Sequence, residues 1–198
     1  MKLKLKFYKM LLVILIILTF IVGVMIYEKN AEMNRVENDA KQVLANIIQD
    51  LDSNKNEPIS EIKQEIKGHK VVGIIKIPKI DLEYPILETT SVETLKLSIT
   101  KFWGNQINEI GNVTLAGHNN LNGTMLGKAD ELEKGDIIEL TDSQNVTLKY
   151  EVFDKYVIDP NDIKCILPVD ESTREVTLIT CENGDKNRLI IKAREIKN

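Results

Sequence analysis

The most apolar part of the chain lies close to its first residue. Residues 10–27, MLLVILIILTFIVGVMIY, hold no charged side chain over 18 positions. At about 1.5 Å of helix rise per residue, this run covers about 27 Å, close to the roughly 30 Å hydrocarbon core of a bilayer. It is longer than the apolar region of a cleaved signal peptide, and no small-residue cleavage site follows it. We therefore predict an uncleaved transmembrane helix, with residues 1–27 forming a basic tip and an anchor.

The charges on the tip predict how this anchor is oriented. The only charged residues within 1–27 are Lys2, Lys4, Lys6 and Lys9. Because lysines beside a membrane span are retained on the cytoplasmic side, the N-terminus is expected in the cytoplasm. Everything after Tyr27 is then expected outside the membrane, as a single-pass protein of the cell membrane.

Residues 28–68 show a helical pattern and are interpreted as a stalk. Apolar residues recur at helical spacing and form one stripe: Val36, Ala40, Val43, Leu44, Ile47, Ile48 and Leu51. Polar residues 52–56 break this helix, and Pro58 predicts the start of a second short helix that ends at Gly68. The preferred interpretation is a spacer that lifts a domain off the membrane. The alternative is a stripe that docks on the domain or pairs with a second copy.

From Val71 onward the pattern changes to short runs typical of strands, so residues 69–198 are predicted to be a mainly β domain. Turn residues such as Pro78, Gly135 and Pro160 separate these runs. Short helices are expected at 92–98 and 124–132. Strands are predicted at 71–77, 82–87, 112–116, 136–140, 146–158, 176–180 and 189–196. Seven strands at near-regular spacing favour a small closed barrel.

Composition excludes several classes of function. The chain has 26 basic and 30 acidic side chains, and all four charges of the tip are basic, so the rest is acidic and a nucleic acid partner is not expected. Two histidines and two cysteines lack zinc-site spacing, and glycine-rich phosphate-binding loops are absent from the sequence. EF-hand spacing is also absent. We therefore predict no cofactor and no required metal, although an acidic domain is compatible with activation by calcium.

Three residues carry the candidate chemistry. His118 follows a predicted strand, Cys181 closes another, and Arg188 opens the last one. If that last hairpin places Cys181 opposite Arg188, the two side chains share a face, whereas a slip of one residue separates them. A fixed cation beside a thiol favours the nucleophilic thiolate. The alternatives are a structural histidine, a buried packing cysteine, or one disulfide between Cys165 and Cys181; Cys165 itself is interpreted as a packing residue.

Several segments together resemble the sortases, the cell-surface cysteine transpeptidases of Gram-positive bacteria. Residues 177–181, TLITC, resemble the TLxTC signature that ends in the catalytic cysteine. Residues 111–118, GNVTLAGH, resemble the segment that carries the catalytic histidine, and 188–191, RLII, resemble the strand that begins with the catalytic arginine. Residues 72–80 and 125–129 also agree. The resemblance covers 71–196, in the family's order, and implies an eight-stranded sortase barrel with His118, Cys181 and Arg188 as catalytic residues.

The same resemblance implies substrates and a subclass. The implied donors are surface proteins with an LPXTG-like sorting signal that is cut after its Thr, and the implied acceptor is an amine of a peptidoglycan precursor or cross-bridge. Thr180 is expected to contact the substrate. The short segment between Val157 and Cys181 leaves no room for the helical insertion of class B, and neither the lid segment nor the second membrane span expected of class C is found in the sequence. A class A-like or class D-like enzyme is therefore expected. The alternatives are an anchored cysteine peptidase that only hydrolyses, or a non-catalytic exported binding barrel.

Overall fold

The computed structural model describes residues 2–53 and 64–197, apart from Val169, Glu171, Asn183 and Asp185. The chain divides into two compact units, Met1–Asn38 and Asp39–Asn198. The first unit consists of one helix, the first part of α1 (Lys2–Ser53). Within the described residues, α1 is the one helix that is long and apolar enough to cross a membrane. Its apolar side chains, such as Leu12 and Phe20, are exposed, which is what a lipid-facing surface requires.

The second unit begins with the last part of α1. Ala40, Leu44 and Ile47 from the predicted stripe are buried there. Asp39 pairs with Lys67 at 3.3 Å, and the Gln64 side-chain amide donates to Asp50 at 2.7 Å. For the part of the stripe after residue 38, the docking alternative therefore fits better than a free spacer.

A short hairpin leads into the barrel where the sequence predicted the end of a helix. Strand β1 (Glu65–Ile66) pairs with the start of β2 (His69–Ile77). Lys67 and Gly68 form the turn with φ of 51° and 82°, the left-handed backbone that a two-residue hairpin demands. The prediction that Gly68 caps a second helix is wrong for this reason. The rest of that predicted helix, residues 58–63, lies outside the described residues.

Eight strands close into a barrel, which confirms the expected fold. They are β2, β3 (Leu82–Leu87), β4 (Ile99–Gly104), β5 (Gly111–Ala116), β6 (Ile137–Asp142), β7 (Thr147–Ile158), β8 (Arg174–Glu182) and β9 (Asn187–Glu195). Their order is β2-β3-β4-β5-β8-β9-β7-β6, and β6 pairs back with β2 to complete the ring. Most neighbours are antiparallel, but β3–β4 and β5–β8 are parallel.

The connections agree only partly with the predicted helices. Helix α2 (Val92–Leu97) matches the prediction for 92–98 and begins at a capping box in which Ser91 and Thr94 satisfy each other's backbone N–H. The helix predicted at 124–132 is wrong, because only Ala129–Glu131 forms a short 3-10 turn. Met125 has a φ of 52°, a left-handed backbone that a right-handed helix cannot contain, and at Gly127 the chain passes so close to the carbonyl of Asn120 that a Cβ would collide with it.

Candidate active site

Three neighbouring strands, β5, β8 and β9, form the platform of the site. Residues that alternate along them bury one apolar face, with Val113, Leu115, Val176, Leu178 and Ile191 at most 4% exposed. The opposite face is arranged in rows, because the strands pair without a register shift. From the loop end downward these rows are Cys181 and Arg188; Ala116, Ile179 and Ile190; Thr114, Thr177 and Lys192; Asn112, Glu175 and Arg194.

The first row brings together two of the predicted residues. Cys181 and Arg188 are direct partners in the antiparallel pair of β8 and β9, so the predicted register is confirmed. Opposed residues in such a pair project to the same face, with Cβ atoms about 4.5–5.5 Å apart. The Arg188 Nη1 donates to the carbonyl of Asn187 at 3.0 Å. The guanidinium is therefore held at the start of β9, on the same face as the thiol.

His118 lies two residues beyond the end of β5, where the same alternation continues. Several hydrogen bonds fix this segment against the strand that carries the cysteine. Gly117 N–H donates to Ile179 O at 3.2 Å, and the Thr180 hydroxyl donates to Gly117 O at 2.8 Å. The Asn119 side-chain amide donates to Cys181 O at 2.8 Å. The backbone on either side of His118 is therefore tied to β8.

Asn119 is a residue that the sequence analysis missed. It links the segment of His118 to the backbone of Cys181, yet it has neither reactive chemistry nor a recognisable motif position. Its one signal in the sequence is its place directly after His118. The long-range pairing of β5 with β8, on which its contact depends, is not visible in local patterns.

All three predicted catalytic side chains line one cleft of about 260 Å³. His118, Cys181 and Arg188 supply the polar chemistry, together with Thr90, Thr180 and Asp162. Much of the remaining lining is apolar: Leu95, Phe102, Ala116, Ile158, Pro160, Ile163, Ile166, Ile179 and Ile190. A thiol, an imidazole and a guanidinium therefore meet at a cleft that suits an extended chain with aliphatic side chains.

Thr180 and Cys165 also border this cleft. Thr180 is 4% exposed, and its hydroxyl is engaged by Gly117, so its predicted contact with substrate stays a prediction. Neither cysteine forms a disulfide, so the alternative of a bridge between Cys165 and Cys181 is wrong. Burial raises the pKa of the Cys165 thiol, an effect that the ammonium of Lys192 partly opposes. Cys165 therefore fits the predicted role of a packing residue.

In the part of the chain that the structure describes, His, Cys, Asp and Glu side chains form no group of three that could hold a metal ion. The expectation that neither a cofactor nor calcium is required stays a prediction.

Comparisons with family models, curated proteins and solved structures all match the same family. The family model described as Sortase domain matches residues 75–196. Sortase A of Bacillus anthracis is 34% identical over 119 residues, covering 60% of this chain and 55% of that protein. Sortase D of Bacillus subtilis is 32% identical over 110 residues, covering 55% and 53%. The match thus spans about half the length of these curated relatives. A solved lid mutant of Sortase A from Corynebacterium diphtheriae is 25% identical, with a TM-score of 0.60 over 85% of this chain and 94% of that one.

Proposed function

The chain belongs to the sortase family, whose members are cysteine transpeptidases, and from that premise we propose that it cleaves an LPXTG-like sorting signal and transfers the acyl part to a cell-wall amine. The observation that carries this proposal is the convergence of His118, Cys181 and Arg188 on one cleft. A binding barrel would have no need for a nucleophile, an acid–base group and a fixed guanidinium at a single point.

The proposed first half-reaction forms a thioester. The Cys181 thiolate attacks the carbonyl carbon of the signal's Thr, and the carbonyl oxygen becomes an oxyanion. Arg188 stays protonated and offers its N–H donors to that oxygen. The C–N bond then breaks, and His118 protonates the departing amine, leaving the acyl group on sulfur.

The second half-reaction reverses the proton transfer. An incoming amine attacks the thioester carbonyl and gives its proton to His118. The C–S bond breaks as the new amide forms, and the thiolate of Cys181 is restored. The acceptor under this proposal is an amine of a peptidoglycan precursor or cross-bridge.

The lining of the cleft supports the choice of donor. Aliphatic side chains such as Leu95, Ile163 and Ile190 border the space next to the three polar groups. They favour a peptide that has apolar residues a few positions before its scissile bond, as the Leu and Pro of an LPXTG-like signal are.

The proposed location is the outer face of the cell membrane. The exposed apolar part of α1 supports an anchor, and the four lysines before it favour a cytoplasmic N-terminus. The barrel would then face the cell wall, where both proposed substrates occur.

The decisive experiment follows the acyl group. The full chain in detergent is mixed with an LPXTG-like peptide, with or without triglycine, and both products and enzyme are examined by mass spectrometry. We expect a thioester adduct on Cys181 and an amide product that contains triglycine. Hydrolysis alone in the presence of the amine would favour the anchored peptidase, and the absence of any turnover would favour the binding barrel.

Matched variants test the assigned roles. Cys181→Ala should abolish the adduct, whereas Cys165→Ala should still form it, because the second cysteine is not the proposed nucleophile. His118→Ala should lower kcat by about 100-fold or more, in the range of general acid–base catalysis. The matched control is His69→Ala, since His69 faces Glu93 and is not among the residues of the cleft.

A further inference from the structure

The face of the platform that carries Cys181 and Arg188 is called the catalytic face here. One wall of the cleft is a segment that crosses the lower rows of this face. This segment, residues 160–167 between β7 and β8, is called the wall segment here. Pro160, Ile163, Cys165 and Ile166 from it line the cleft. Its only regular element is the 3-10 turn Lys164–Ile166. Such a short turn has few backbone bonds of its own, so its position depends on what lies beneath it.

Three successive carbonyls of the wall segment accept hydrogen bonds from the platform. Lys192 Nζ donates to Leu167 O at 2.7 Å and to Cys165 O at 3.3 Å. The Asn112 side-chain amide donates to the intervening Ile166 O at 2.7 Å. From β9, Lys192 thus holds both the middle of the turn and the residue that follows it.

The ammonium of Lys192 lies in an unusual place for a charged group. The Lys192 side chain is 5% exposed, and the nearest acidic group is Glu175, whose side chain is fully buried, at 3.9 Å. Glu175 has its shorter contact, 2.8 Å, with Arg194. Burial lowers the pKa of Lys192, while the Glu175 carboxylate opposes that change. Burying an ammonium is costly unless it is paired and hydrogen-bonded, and here the carbonyls of the wall segment provide much of that compensation.

We propose that Lys192 is a positioning residue that sets the affinity for the donor peptide by holding the wall segment against the catalytic face. This proposal rests on the proposed function. Lys192 is four residues from Arg188 along β9, or about 13 Å at strand rise. It cannot reach the reacting atoms from there, so it acts through the wall that the peptide touches.

The test uses the full chain in detergent and the variant Lys192→Met, which keeps the length of the side chain and removes its charge and donors. Hydrogen–deuterium exchange of the peptide over residues 159–168 reports on the wall segment without any substrate. Steady-state kinetics with an LPXTG-like peptide and triglycine then separate KM from kcat. We expect faster exchange in the wall segment, a KM raised about tenfold by loss of charged hydrogen bonds, and kcat within about threefold of the parent value.

The chain offers a matched control. Lys155 also braces two carbonyls, those of Asp130 and Leu132, at 2.9 and 2.7 Å, but none of these three residues is among those that line the cleft. Lys155→Met should therefore leave KM and the exchange of residues 159–168 unchanged. Lys192→Arg keeps the charge and donors and should restore most of the affinity. If Lys192→Met does not fold, Lys192→Gln, which removes the charge but keeps an amide NH₂ group, serves for the same comparison.

The outcomes distinguish failure of this proposal from failure of the proposed function on which it rests. Unchanged exchange in the wall segment of Lys192→Met would overturn the bracing role, and faster exchange with an unchanged KM would overturn the role in affinity. A fall in kcat with KM unchanged would also contradict it, because that pattern belongs to a residue acting on the transition state. A parent chain that turns over no peptide would overturn the proposed function and the role in affinity. The exchange data would still decide whether Lys192 holds the wall segment in place.

Discussion

At the scale of single residues, the site is an outcome of strand alternation. Cys181 and Arg188 face each other because β8 and β9 pair in one register, and His118 continues the matching alternation of β5. The same periodicity sends Leu178 and Ile191 into the apolar core. A single sheet face thus collects the reactive groups, and the other face stabilises the barrel that holds them.

Arg188→Lys tests whether the shape of the cation matters as well as its charge. A lysine ammonium is a point charge and cannot present the planar fork of a guanidinium to an oxyanion. We expect kcat to fall by about 100-fold, in the range seen for loss of an oxyanion donor, with a smaller change in KM. Kinetics on the LPXTG-like peptide would measure this, and activity within threefold of the parent would contradict a specific role for the guanidinium.

The two cysteines should differ sharply in reactivity. Cys165 is 5% exposed, and burial raises its pKa, so its thiolate forms only at a pH above the usual range of a cysteine. Iodoacetamide at pH 7 to 9 should therefore label Cys181 in the folded chain and leave Cys165 unmodified until the protein is unfolded. Peptide mapping by mass spectrometry would show this. Labelling of Cys165 at a rate equal to that of Cys181 would mean that the wall segment opens readily.

At the scale of elements, the sequence predicted best where local pattern and tertiary structure agree. Strands with clear alternation or apolar runs, such as β3 and β8, were predicted within two residues of their ends. Strand β4 was missed, because a register shift between Lys101 and Trp103 interrupts its period-two pattern. The pairing of Cys181 with Arg188 could be inferred from the sequence, because the two residues are only seven positions apart in one hairpin. The contacts of Asn119 and Lys192 join distant segments, which no local pattern reports.

The seam where β2 and β6 close the barrel provides a test by pH. Just before β6, Asp136 accepts the Glu133 N–H at 2.6 Å and faces Lys79 at 3.0 Å. Burial alone would raise the pKa of Asp136, but these two contacts outweigh it and hold the pKa below its usual value. A carboxyl with a depressed pKa stabilises the fold above about pH 4 and loses that effect as pH falls through its folded pKa.

Asp136→Asn should therefore lower the unfolding free energy by about 1–2 kcal/mol at pH 7, chiefly through the hydrogen bond to the charged carboxylate. The difference from the parent should shrink as pH falls through the depressed pKa of Asp136, below which both side chains are uncharged. Thermal unfolding across this pH range would measure it. Glu139→Gln, which removes a surface ion pair with Lys149, is the control and should change little at either pH.

At the scale of the whole molecule, the chain separates an apolar helical unit from a unit that carries the chemistry. The division falls inside α1, after Asn38, and the stripe residues beyond it are buried in the second unit. The boundary suggested by composition, at residue 68, therefore lies later than the boundary between compact units. Local patterning revealed the stripe but could not decide between a spacer and docking, because the docking of Ala40, Leu44 and Ile47 is a tertiary contact.

Deleting residues 1–38 should leave a folded, water-soluble unit that keeps its thermal unfolding temperature and its turnover of small peptides. A longer deletion, of residues 1–63, should lower the unfolding temperature, because it removes Ala40, Leu44 and Ile47 and uncovers the apolar surface beneath them. Partition into vesicles and calorimetry would measure both effects. Equal stability of the two truncated proteins would contradict the structural role of this stretch of α1.

The parallel pairing of β5 with β8 has a consequence for the time course of folding. His118 precedes β6 and β7 in the chain, and Cys181 follows them. Strands β6 and β7 must therefore be synthesised before β5 can pair with β8. Contacts between such distant segments form slowly. In a newly made chain, the Cys181 thiol and the His118 imidazole thus stay apart through most of folding, and they meet only as the barrel closes.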